Sequence, residues 1–148
     1  MNKRQKLQQL NPRKWFDRMQ PQTLQIATWL LYLNGFFALI SFMDKRDWIG
    51  YARGEKGSIG SLVGILVLGS FIGGGFLMAN DRKVGYKLAL VAAFSPFALR
   101  IWVLWSASGF STLDKITGSD TIGFIFEAAL CALLLHPHSR EHQRVWYS

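Results

Sequence analysis

A single cysteine, Cys131, stands among 148 residues, which excludes a disulfide framework within the chain. Catalytic signatures are missing as well. There is no HExxH, no phosphate-binding glycine loop, no Ser-His-Asp arrangement and no pair of carboxylates on one element. Enzymatic chemistry and a bound cofactor are therefore not expected. The three histidines fall within HPHSREH, residues 136–142, where His138 and His142 are one helical turn apart. Glu141 would point elsewhere on a helix, so a third ligand is lacking. The tail reads as a basic, pH-sensitive surface segment without a metal.

What the chain has in quantity is apolar sequence, gathered into four runs at 24–43, 58–79, 84–107 and 121–135. The first three hold 20, 22 and 24 residues. At ~1.5 Å per residue, each can cross ~30 Å of hydrocarbon. The fourth, with 15 residues before His136, is a short span, because nothing remains for a soluble core to form around. The expected fold is all-α, a four-span transmembrane bundle over residues 24–135. A basic segment, residues 1–23, precedes it and a basic tail, residues 136–148, follows. There is no internal repeat. No small-x-small cleavage site precedes Asp44, so a signal peptide is not expected.

The net charge of +8 raises the question of nucleic acid, and placement answers it. Eleven of the 17 basic residues lie before the first span, between the second and third or just inside the third (Lys87), or after the fourth. Five of the nine acids (Asp44, Asp47, Glu55, Asp114 and Asp120) lie in the two alternate loops. The positive-inside rule then places both termini in the cytoplasm, and the plasma membrane is the expected location. The bases are expected to meet anionic lipid headgroups, not nucleic acid.

Asn11-Pro12 reads as a helix start. In PRKWFDRMQ the side chains of Trp15, Phe16 and Met19 share one face, as in a helix lying in the membrane interface; the alternative is an N-terminal extension of the first span, since Pro21 can either break a helix or start one. Trp15, Phe16, Trp48, Tyr51, Trp102 and Trp105 are the expected interface anchors.

Arg100 is the residue that most needs explaining. A charge deep in a span costs about 2.5–3.5 kcal/mol on insertion scales, so a partner is expected. Glu127 sits at nearly the same depth on the next, antiparallel span, and Asn34 at a comparable depth on the first. Each lies in a stripe of small residues, the kind of surface on which membrane helices approach closely. The three are expected to form one polar network, either a structural ion pair or the site of a transporter.

The second span carries two pairs of glycines, Gly60 with Gly64 and Gly69 with Gly73, on nearly opposite faces. Close helix contact is expected on both sides. Pro96 should kink the third span by removing the bond to the Ala92 carbonyl, a group that Ser95 could re-satisfy.

LLLHPHSR, residues 133–140, is generically similar to small bacterial membrane proteins and carries no chemistry. These features point to a non-catalytic accessory or scaffolding subunit that packs against other membrane protein subunits. The alternative is a small homo-oligomeric transporter or channel using Arg100, Glu127 and Asn34.

Overall fold

The computed structural model describes residues 11–105, 108–109, 111–118 and 120–147. The described residues form seven helices in chain order: α1 Gln22–Asp44, α2 Asp47–Glu55, α3 Gly57–Ala79, α4 Lys83–Leu104, α5 Thr112–Thr117, α6 Thr121–Leu135 and α7 Pro137–Trp146. Helices α1, α3 and α4 are long and apolar enough to cross a membrane. Helix α6 qualifies only when joined to α7 across a 52° bend, giving three to four candidate spans. The bend follows from sequence. Pro137 cannot donate to the ladder of α6, and it occupies the first turn of α7, where that loss costs nothing.

Helix α1 starts at Pro21, whose carbonyl accepts from the N–H groups of Leu24 and Gln25. It ends where Lys45 adopts a left-handed conformation, and the N–H groups of Lys45 and Arg46 both bond to the Ser41 carbonyl. That reversal sends the chain back over the end of the bundle. The expected loop at 44–57 is therefore a packed helix, α2, with Trp48, Ile49 and Ala52 in the core. Trp48 is only 2% exposed. It is a core residue and not the interface anchor expected from its position in a charged segment.

Two close approaches set the packing of α3. A Cβ at Gly60 would collide with the carbonyl oxygen of Ala52 on α2, and one at Gly74 would lie 2.9 Å from the Ala89 nitrogen on α4. Gly64 meets the Phe42 ring and Gly73 meets Leu88. Among the described residues, a Cβ at Gly69 would meet nothing of another helix within 4 Å. The close contact expected at both glycine pairs is thus corrected at Gly69 alone, since Gly60, Gly64 and Gly73 each meet another helix. The packed stripe runs through Gly60, Gly64, Val67, Phe71, Gly74 and Met78, at helical spacing, and leaves Gly69 on an open face with Leu62, Ile65, Leu66 and Ile72.

Leu24, Leu31, Phe71, Met78, Leu104 and Leu130 fill the bundle interior. Outside it, Ile26, Trp29, Leu33, Phe36 and Leu39 of α1 are exposed. An apolar exterior of this kind suits hydrocarbon better than water.

Residues 11–20 form turns, not the interfacial helix expected. Their hydrogen-bonding groups are used by the α3–α4 turn instead. Asn11 donates its N–H to Asn80, and Asn80 returns a bond to the Lys14 carbonyl. Gln20 donates to the Met78 carbonyl and to Asp81, and Tyr32 donates to the Trp15 carbonyl. Lys14 bridges Asp17 and Asp81 at 2.6 and 2.9 Å. The segment is a strap across one end of the bundle.

Burial alone would push the Lys14 pKa down and the Asp17 pKa up, but the bonds outweigh it. Lys14 is held above its ordinary 10.5 by Asp17 and Asp81, and Asp17 below its ordinary 3.8 by Lys14 and the Met19 N–H. The strap's stabilisation from Asp17 is therefore complete above 3.8 and lost as pH falls through its lower folded value. That from Lys14 is complete below 10.5 and lost as pH rises through its higher one. Hydrogen exchange over residues 14–20, corrected for intrinsic rate, should be flat between those limits and accelerate on the acid side first. Acceleration near neutral pH would contradict this assignment.

Candidate functional site

Arg100 is buried on α4, one turn before the helix ends at Leu104. Its guanidinium is 2% exposed and held by two carboxylates that approach from different helices. Glu127 of α6 accepts from Nη1 at 2.5 Å and from Nη2 at 3.1 Å. Asp47, the first residue of α2, accepts from Nη2 at 3.1 Å and from Nε at 3.4 Å. Two forks thus close on one planar cation, the geometry for which guanidinium is better suited than ammonium.

Asp47 is the member that the sequence missed. Its position in the sequence assigns it to the outer loop, yet α2 carries it inward. The available signal was the helical spacing of Trp48, Ile49 and Ala52 directly behind it. Its φ of 52° is left-handed, a conformation few side chains adopt and one that aspartate tolerates. The pairing with Arg100 offsets the backbone cost.

Gly118 covers the cluster. It ends α5 with φ 69°, and a Cβ there would collide with Asp47 Oδ1 and lie 2.7 Å from Arg100 Nε. Glycine is needed on both counts. Upstream, Ser111 and Asp114 form a reciprocal capping box that fixes α5. Downstream, Asp120 caps α6 by accepting from the N–H groups of Ile122 and Gly123.

A cavity of 460 Å³ lies beside the cluster, between the end of α1, the start of α2 and residues Gly118 and Asp120. Asp47, whose side chain is 17% exposed, lines this cavity and is the cluster's contact with it.

Asn34 does not join the cluster. It is buried, and among the described residues its amide nitrogen has no hydrogen-bond partner. Counting along helices matched its depth to that of Arg100, but depth does not fix direction. The neighbouring Gly35 is pressed against Phe71 of α3. Pro96 is buried inside α4, and the Ala92 carbonyl that it leaves without a backbone donor accepts from the Ser95 hydroxyl at 2.8 Å.

Of the expected interface anchors, Trp15, Trp102 and Trp105 are exposed, while Phe16 and Tyr51 are half-buried. Trp15 packs against Phe76, and Phe16 against Trp29. His142 lies against Trp146 and Tyr147. Among the described residues no three His, Cys, Asp or Glu side chains are grouped as a metal site. No family model matches the chain, and neither do any curated proteins or solved structures.

Chemically, the cluster holds charge; it contains no activated nucleophile. Its arrangement also reverses an order that a simple pair would give. With Glu127 as sole partner, Glu127→Gln would strand the arginine and cost more than Arg100→Gln. With Asp47 present, Glu127→Gln leaves a neutral Asp47–Arg100 pair. Arg100→Gln instead leaves two carboxyl groups facing each other without a cation. Arg100→Gln should therefore cost about 3–5 kcal/mol, the usual penalty for breaking a buried ion pair, and Glu127→Gln distinctly less. Unfolding in mild detergent checks the order. A larger loss for Glu127→Gln would mean that Asp47 does not share the cation.

Proposed function

We propose that the chain is a non-catalytic, multi-pass protein of the plasma membrane with both termini in the cytoplasm. In this reading it serves as an accessory or scaffolding subunit that packs laterally against a larger membrane complex. The observation that carries it is the open face of α3. Among the described residues, a Cβ at Gly69 would meet no other helix within 4 Å, and Leu62, Ile65, Leu66 and Ile72 beside it are exposed. A glycine inside a helix weakens that helix relative to alanine. In membranes its return is close approach by another helix, where association depends on packing and not on water exclusion. Within the chain Gly60 and Gly74 have that return; Gly69 has it only if another helix comes to it.

The transport reading draws on the cavity that reaches Asp47. Against it stands the closure of the cluster, since Arg100 makes four hydrogen bonds to its two carboxylates and is almost wholly buried. A shuttle site needs a group that can change partners.

Substitution separates the two glycine faces. Gly69→Leu should leave the isolated protein's unfolding temperature unchanged and release it from whatever membrane protein co-purifies in mild detergent. Gly60→Leu should destabilise the chain itself, by at least the about 1–3 kcal/mol typical of overpacking. Retention of every partner in Gly69→Leu, or a native mass showing only copies of this chain, would remove the accessory reading.

Orientation has its own test. In a Cys131→Ser background, Ser111→Cys should react with an impermeant thiol reagent in intact cells and Ser148→Cys should not. The opposite labelling would invert the topology.

A further inference from the structure

The cavity beside the arginine cluster combines three features. First, its rim carries free charges of both signs. Asp44, Lys45 and Arg46 line it, and among the described residues their side chains make no ion pair or hydrogen bond. Second, its floor is Asp47, one of two carboxyl groups sharing a single guanidinium. With both ionised, the cluster has one negative charge in excess, and Asp47 is where that charge meets the cavity. Third, one flank is apolar. Phe37 and Ile40 of α1 line the cavity and are exposed, and they continue the exposed apolar side chains Leu33, Phe36 and Leu39 of the same helix. A compartment with cations and the free Asp44 carboxylate at the rim, a carboxylate that shares its cation with Glu127 at the floor and an apolar side door fits an amphiphile carrying both a phosphate and an ammonium group.

We propose that this cavity binds the phosphoethanolamine headgroup of a phospholipid. Lys45 and Arg46 hold the phosphate, Asp44 and Asp47 hold the ammonium, and the acyl chains leave past Phe37 and Ile40. At 460 Å³ the volume lies within the range of small-ligand sites. Charge-assisted hydrogen bonds to phosphate and to ammonium are the strong class, and a partly enclosed site screens them less than open water does. The backbone holds the rim ready, since Lys45 and Asp47 both have left-handed φ values, 53° and 52°, that fold the Lys45–Asp47 corner over the end of α1. The proposal needs only that the chain is embedded in a membrane. It does not need a lateral partner, and either reading can fail alone.

The test is lipid retention. The protein is reconstituted into nanodiscs of equal parts phosphatidylethanolamine and phosphatidylglycerol, re-extracted in mild detergent and weighed intact by native mass spectrometry. Phosphatidylethanolamine should be retained several-fold over phosphatidylglycerol. Lys45→Asn, which keeps a residue tolerant of left-handed φ, and Arg46→Gln should each weaken retention of both lipids about tenfold, the effect of one lost charged contact. Asp44→Asn should remove the preference for phosphatidylethanolamine while sparing phosphatidylglycerol.

All three side chains are exposed, so helix content and unfolding temperature without lipid should match the parent. If one variant is misfolded, the other two decide. A soluble arm uses glycerophosphoethanolamine. Thermal protection by it at concentrations matching the lipid would mean that the site takes the same group from a soluble carrier. No protection with strong lipid retention identifies the lipid as its source. Equal retention of the two lipids by the parent, or retention indifferent to all three substitutions, overturns the proposal.

Discussion

The structure depends on one desolvated cation. Arg100 cannot lose its proton and stands 2% exposed in an apolar bundle, so its environment has to supply compensating charge. It does so from two directions. Glu127 ties α4 to α6, and Asp47 ties α4 to α2. The second tie has the wider consequence. To bring Asp47 inward, the chain reverses at Lys45, accepts two left-handed residues and buries Trp48 and Ile49. The segment that looks like a loop becomes a lid, and Gly118 closes the same cluster from the opposite connection.

Away from that cluster the bundle is held by shape. Apolar surface gains little by moving from lipid to a helix interface, so contact has to come from close fit. Gly60 lets α3 approach the backbone of α2, and Gly74 lets it approach α4. Small hydrogen bonds to backbone carbonyls add local ties. Cys131 donates to Ala93, Tyr86 to Leu134 and Ser139 to Leu133, and the Ser139 hydroxyl oxygen in turn accepts from the Thr23 hydroxyl. Each joins two helices, or the two sides of the Pro137 bend, at a point where an apolar side chain would only fill space.

The two ends of the bundle are built differently. At the strap end, Lys14, Asp17, Asp81, Gln20 and Asn80 form a mostly half-exposed polar clasp around the α3–α4 turn. Its charges are near water and individually weak. At the α2 end the charges are buried and few, and beside them lies a cavity with Asp44, Lys45 and Arg46 on its rim. The first arrangement fastens a terminus. The second presents chemistry to whatever occupies the cavity.

Composition and periodicity by themselves determined the helical class and the three to four apolar helices, because the length of an apolar run in one dimension is what a membrane measures. The need of Arg100 for a buried acid, and Glu127 as one such acid, also followed from position along two antiparallel helices. Direction around a helix did not. Asn34 matched in depth but not in direction, and Gly69 shares spacing with Gly60 yet faces outward. Nor could the sequence say that DWIGYARGE folds back onto the core, or that residues 11–20 would give their hydrogen bonds to Asn80 and Asp81 in place of a helix. Those outcomes depend on groups far apart in the chain competing for the same donors and the same space. Only the packed bundle, in which Asp47 lies 53 residues from Arg100 and within 3.1 Å of it, decides that competition.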